Sequence, residues 1–73
     1  MNLECEYQVR VNNFPLITRT GEEIEAGIYT CDIMNHVVRT AYETHMKTST
    51  KVAMIRGHVF GHLVEIRRKT VIQ

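Results

Sequence analysis

The stretch from Thr30 to Met46, TCDIMNHVVRTAYETHM, decides the fold of this chain. Its apolar residues recur at steps of three and four, the periodicity of an amphipathic helix; they are Ile33, Met34, Val37, Val38, Ala41, Tyr42 and Met46. The opposite face is polar and holds Asp32, Asn35, Arg39, Thr40 and Glu43. Thr30 is a candidate N-cap, and Asp32 and Lys47 lie at the ends where their charges complement the helix dipole. The sequence therefore predicts one helix over this stretch.

Two strands are predicted before the helix. Apolar and polar residues alternate from Leu3 to Val11, which is typical of a half-buried strand. Asn12-Asn13 suits a turn, and Phe14–Arg19 follows as a second strand. Because Pro15 has no N–H to donate, this strand starts late or lies at a sheet edge. The segment 20–27, TGEEIEAG, is predicted to be an acidic connection.

Two further strands are predicted after the helix. Lys51–Arg56 is a short apolar run of strand length, and Gly57–His62 supplies a turn. Leu63–Ile72 returns as a long strand in which alternate residues point the same way. Val64, Ile66, Thr70 and Ile72 form the inward set, which Arg68 interrupts.

These elements predict an α+β fold of the order ββαββ. One amphipathic helix packs on one face of a small antiparallel sheet, and residues 1–73 form a single domain. We expect the first and last strands to be sheet edges, which are open to strand addition from a second copy or a target.

Composition places the chain among ordinary globular proteins. It is 44% hydrophobic and 23% charged, no apolar run reaches membrane-spanning length, and the N-terminus does not read as a signal peptide. Cys5 and Cys31 are expected to be free, buried thiols, which indicates a cytoplasmic protein. No cofactor is predicted, because the glycine spacing does not match a phosphate-binding loop.

The charges divide sharply along the chain. Residues 1–32 carry six carboxylates against two arginines, a net charge of −4, whereas residues 33–73 carry seven cations against two carboxylates, a net charge of +5. The chain's net charge of +1 conceals this split. Such asymmetry bears on partners and association.

No catalytic or metal motif accompanies the charge split. His58 and His62 flank the predicted turn, but two ligands do not make a structural zinc site, and no metal is predicted. His45 is expected at the core edge and His36 at the polar edge of the helix stripe, with no nucleophile at a meaningful offset. Cys31 at the helix start has the acidic Asp32 beside it, which works against a reactive thiol.

The basic cluster is the strongest functional signal. We expect Arg56, Arg67, Arg68 and Lys69 to make a positive stripe across one sheet face that contacts an acidic partner surface. Glu22, Glu23 and Glu25 would meet a basic patch in the same way. A solvated strand face without a binding role remains the simpler alternative.

The leading hypothesis is a non-enzymatic binding or inhibitor protein that occludes a site on a larger macromolecule. By size and pattern the chain is similar to small accessory proteins of phages and mobile elements. A protein partner is expected, with a homodimer through an edge strand possible and no membrane partner. The alternative is a nucleic-acid or nucleotide binder that adds contacts from Lys47, Lys51, His58, Phe60 and His62. A minimal enzyme using His36, His45 or Cys31 ranks third.

Overall fold

The computed structural model describes residues 6–48 and 51–69. In chain order they form β1 (Glu6–Val11), β2 (Ile17–Thr20), α1 (Gly21–Glu25), α2 (Asp32–His45), β3 (Met54–Val59) and β4 (His62–Arg68). The predicted residues Leu3, Cys5, Thr70 and Ile72 lie outside the described residues. The predicted α+β class and the ββαββ order are confirmed, with one short helix added.

All strand pairs in the four-stranded sheet are antiparallel, in the order β2-β1-β4-β3. Tyr7 lies opposite Arg19 on one side and Arg68 on the other, while Ile55 lies opposite Ile66. The prediction that the first and last strands are edges is wrong, because β1 and β4 pair with each other at the centre. The edges are β2 and β3.

Both helices cover one face of the sheet. Alternation along the central strands turns their apolar residues towards the helices. The side chains that meet there are Tyr7, Val9, Val11, Ile24, Tyr29, Val37, Val38, Ala41, Tyr42, Met46, Val64 and Ile66. These residues form one hydrophobic cluster, so every regular element except the two edge strands supplies fully buried side chains.

Helix α2 is confirmed, but it begins later than predicted. Its N-cap is Cys31, which makes no side-chain capping hydrogen bond, so Thr30 is not the N-cap. Instead, Asn35 Oδ1 accepts hydrogen bonds from the backbone N–H groups of Tyr29 and Thr30, each at 2.8 Å. Ile33, expected on the buried stripe, is 64% exposed at the first turn. Neither helix in the described ranges is long and apolar enough to cross a bilayer.

The acidic segment predicted as a loop is a helix. Thr20 and Glu23 form a capping box that starts α1: Thr20 Oγ1 accepts from Glu23 N at 3.1 Å, and Glu23 Oε1 accepts from Thr20 N at 2.9 Å. Two backbone donors are thereby satisfied at the helix start. Buried Ile24 then ties this short helix to the core.

The turn between β3 and β4 is shorter than predicted. β3 continues through Gly57 and His58 to Val59, and only Phe60 and Gly61 form the loop. Both loop residues have positive φ, 50° and 82°, as a two-residue type I′ hairpin requires. The shorter turn places His58 in the sheet, opposite Leu63.

Candidate binding surface on the open face of the sheet

The sheet face away from the helices is uncovered in the described part of the chain, and we call it the open face. Strand register and alternation place these residues on it: Glu6, Gln8, Arg10, Thr18, Met54, Arg56, His58, Leu63, Glu65, Arg67 and Lys69. Four of them are cations and two are carboxylates, a net charge of +2. The open face is therefore positive, although the whole chain is close to neutral.

Three arginines surround one carboxylate at the centre of this face, and we call Arg10, Arg56 and Arg67 the arginine cluster. Arg10 and Arg56 lie opposite Glu65 from either side, one on β1 and the other on β3. Glu65 Oε1 lies 2.8 Å from Arg10 Nη2, and Glu65 Oε2 lies 3.2 Å from Arg67 Nη2. Arg56 has no ion pair or hydrogen bond with any residue that the structure describes. One guanidinium is thus left uncompensated.

Glu65 is held in its ionised form by this arrangement. The hydrogen bond from Arg10 lowers the pKa of Glu65 below its ordinary value of 4.5, and the charges of Arg10 and Arg67 act in the same direction. Beside the carboxylate lies a depression of about 300 Å³ bordered by Arg10, Arg56, Leu63 and Glu65. Fixed positive charge around a small hollow suits a partner's carboxylate or phosphate.

Arg68 does not belong to the predicted positive stripe. It points to the helix-covered side, where Arg68 Nε donates to Val52 O at 3.0 Å and Nη1 donates to Tyr7 Oη at 3.1 Å. Its guanidinium carbon also lies 5.3 Å from the Tyr7 ring centroid. The break that Arg68 makes in the apolar pattern of β4 is therefore a structural contact. Arg10 is instead the third arginine of the cluster on the open face. Only the register between β1 and β4 places it beside Glu65.

Many of the charges that were predicted to form separate acidic and basic surfaces pair with each other in intramolecular ion pairs. Lys69 Nζ lies 3.3 Å from Glu6 Oε1, and Lys47 Nζ lies 3.1 Å from Glu25 Oε2. Glu23 is engaged in its capping box, so only Glu22 of the predicted acidic site is an exposed carboxylate without such a contact. These pairs join the acidic first half of the chain to the basic second half. The two signs interleave, and a free positive charge survives mainly at the arginine cluster.

The residues predicted to touch nucleic acid do not share one surface. Phe60 is 65% exposed and stacks on His36 of α2, with ring centroids 5.2 Å apart and planes 7° from parallel. Lys47 lies beyond the far end of that helix, about 16 Å along its axis from His36. Lys51 precedes β3, at the end opposite the Phe60 turn.

The remaining histidines and the thiol are also separated. His58 is on the open face, whereas His62 pairs with Val59 and lies on the helix side, its Nδ1 3.1 Å from Asn12 Nδ2. No group of three or more metal-ligating side chains occurs among residues 6–48 and 51–69. His45 is exposed, contrary to its expected place at the core edge. Cys31 is exposed too, so the expectation of a buried thiol is wrong for it.

Comparison with protein-family models, with curated proteins and with solved structures gives no match.

Proposed function

We propose that this protein is a non-enzymatic binding protein that docks through the open face of its sheet on an acidic surface of a larger protein and occludes it. The observation that carries this proposal is the arginine cluster: three arginines lie around one carboxylate, only two of them pair with it, and no described helix covers this face. Arginine pairs bidentately with carboxylates and is more weakly hydrated than lysine, which favours interface contacts.

Apolar side chains beside the cluster support a protein partner. Leu63 lies half-buried next to the 300 Å³ depression, and Met54, opposite Arg67, is 43% exposed. Protein interfaces combine apolar anchors with arginine, and charge complementarity speeds the encounter. The cytoplasmic location stays part of this proposal, because free thiols persist in a reducing compartment.

The test is a pull-down from the native host, with and without nuclease, followed by mass spectrometry. The double variant Arg56→Glu/Arg67→Glu is compared with wild type and with Lys51→Glu/Thr48→Glu, which adds acidic charge to the linker after α2. We expect wild type and the linker variant to capture the same protein after nuclease treatment, and the cluster variant to lose it. Equal capture by the cluster variant would remove the open face as the interface.

Kinetics of the purified pair extend the test. Because the cluster acts through exposed charge, raising the salt from 0.05 to 0.5 M, chosen to shorten the Debye length to a few ångströms, should slow association much more than dissociation. A salt-independent association rate would contradict an electrostatic docking face.

Nucleic-acid binding is the second candidate, and the exposed Phe60 ring is the observation that favours it. Aromatic rings that stack bases usually stand beside cations that hold phosphates. Here Phe60 is on the helix side with His36, while the arginine cluster is on the open face. A gel shift with single-stranded and duplex oligonucleotides at low salt decides the question, since a shift lost in Phe60→Ala would favour the nucleic-acid function.

A further inference from the structure

Edge strand β3 carries a row of unpaired backbone groups. Ala53 O accepts from Arg68 N at 2.8 Å, and antiparallel pairing then alternates, so Ile55, Gly57 and Val59 bond to β4. Met54, Arg56 and His58 consequently direct their N–H and C=O groups away from the sheet. None of these three residues has a hydrogen-bond partner elsewhere in the described chain, which leaves an edge ready for another strand.

The other edge is protected. β2 has only four residues, follows Pro15 and runs directly into α1 through the capping residue Thr20. Short edge strands bounded by proline and a helix are common ways to prevent strand addition. β3 has six residues, and its Val59 end leads into the hairpin turn without a proline or a helix. The two edges therefore differ in what they offer a partner.

A notch opens on the helix side of β3 at Gly57. A cavity of about 300 Å³ lies there between α2 and the sheet, lined by Ala41, His45, Gly57 and Val64 and flanked by Ile55 and Val59. A Cβ atom added to Gly57 would meet nothing within 4 Å, and the φ of this glycine is not positive. Neither backbone conformation nor crowding requires glycine here. The missing side chain instead leaves a gap between the half-buried side chains of Ile55 and Val59, with the buried Ala41 and Val64 beneath it.

The charges around β3 indicate which kind of strand could pair with it. Arg56 is uncompensated, and Arg10 and Arg67 lie beyond it on the open face. A second copy paired through β3 about a two-fold axis at residue 56 would set Arg56 against Arg56, and like charges directly opposite each other are unfavourable. A segment with carboxylates on the open side and a large apolar side chain on the helix side fits both surfaces, because bulky cross-strand neighbours cover edge glycines.

We propose that β3 receives an extended acidic segment of the partner protein as a fifth, antiparallel strand. The bulky apolar residue opposite Gly57 fills the notch between Ile55 and Val59. Acidic residues on either side of it face Arg56 and His58. This inference rests on the proposed docking function and specifies its mode: main-chain hydrogen bonds give affinity, and the notch and the arginine cluster give specificity.

The probe is a fluorescein-labelled, end-capped heptapeptide, Glu-Val-Asp-Phe-Asp-Val-Glu, whose phenylalanine is flanked by carboxylates. Binding is measured by fluorescence anisotropy, and amide shifts are followed by NMR. Three variants are compared: Gly57→Leu fills the notch, His58→Pro removes an outward N–H of β3, and Thr18→Pro makes the same change on the outward side of β2. Urea unfolding of each variant shows that it is folded.

We expect wild type and Thr18→Pro to bind the peptide, and Gly57→Leu and His58→Pro to weaken binding at least about tenfold, the size expected of a central contact. Amide protons of Met54, Arg56 and His58 should gain protection from exchange. On wild type, a peptide with alanine in place of phenylalanine should bind less tightly than the phenylalanine peptide. On Gly57→Leu, the two peptides should bind with equal affinity.

Three results would overturn the edge proposal: no binding by wild type, binding unchanged in folded Gly57→Leu and His58→Pro, or a wild-type dimer that His58→Pro dissociates. None of these results tests docking through the open face, which is decided by the pull-down with Arg56→Glu/Arg67→Glu. Loss of capture there, together with a failed peptide test, would retain docking through the open face and reject strand addition.

Discussion

Arg68 Nη1 donates to Tyr7 Oη at 3.1 Å while the Arg68 guanidinium lies 5.3 Å from the same tyrosine's ring centroid. Tyr7 in turn packs edge-on against Tyr42, with ring centroids 5.2 Å apart. An arginine from the last described strand thereby reaches the first strand and, through it, α2. The contact ties the sheet to the helix layer near the Thr20 end of the sheet.

Arg68→Ala should lower the free energy of unfolding by about 1–3 kcal/mol, because it removes hydrogen bonds to Val52 O and Tyr7 Oη together with the contact on the Tyr7 ring. The neighbouring change Arg67→Ala removes only an exposed ion pair and should cost less than about 1 kcal/mol. Urea titrations followed by far-UV circular dichroism give both values. Equal losses would contradict the structural role of Arg68.

Thr20→Ala should destabilise the protein by about 0.5–2 kcal/mol, because Thr20 Oγ1 no longer accepts from Glu23 N at the start of α1. Thr20→Ser keeps the hydroxyl and serves as the control, with a stability close to that of wild type. Chemical denaturation measures both. An effect of serine as large as that of alanine would show that packing of the threonine methyl, rather than capping, stabilises this junction.

Glu65 should make stability depend on pH. Since its folded pKa lies below the ordinary 4.5, the unfolded chain takes up this proton first as the solution is acidified. The stabilisation is present above pH 4.5 and is lost as the pH falls through the lowered folded pKa. Unfolding free energies of wild type and Glu65→Gln, measured from pH 7 downwards, should therefore converge in acid. A constant difference over that range would contradict the ionised role of Glu65.

Two glycine substitutions should have opposite effects. A Cβ at Gly21 would come 2.7 Å from Tyr42 Oη and 3.5 Å from Tyr7, both buried, so Gly21→Ala should cost about 1–3 kcal/mol. Gly57→Ala adds its methyl group in open space within a strand and should be neutral or stabilise by up to about 1 kcal/mol. Thermal unfolding compares the two. A destabilising Gly57→Ala would mean that the notch is needed for folding.

Periodicity alone predicts much of this fold, because it depends on local sequence. The three- and four-residue steps from Val37 to Met46 predict the buried stripe of α2, and the alternation from Tyr7 to Val11 predicts the buried face of β1. The capping box at Thr20 and Glu23 was readable as well, since it is a spacing signal. The acidic and glycine residues around it, Gly21, Glu22, Glu25 and Gly27, favour a solvated loop instead, and only the burial of Ile24 decides for a helix.

The candidate site depended on register, which local patterns do not contain. Arg10 and Glu65 are 55 positions apart in sequence, and only the pairing of β1 with β4 brings them together. The same pairing turns Arg68 inward next to Tyr7 and turns Arg67 outward. Composition indicated a basic surface, but strand order determines which cations share it.

The pairing of β1 with β4 also has a consequence for synthesis on the ribosome. Glu6–Val11 is translated well before β4, so Val9 meets Ile66 only after the long segment between them has been made. Until then the β1–β2 hairpin keeps one long side bare, with Tyr7, Val9 and Val11 lacking their later neighbours. The sheet stays incomplete until β4 has been made, and a chaperone would protect it during this interval, in which it is prone to aggregate.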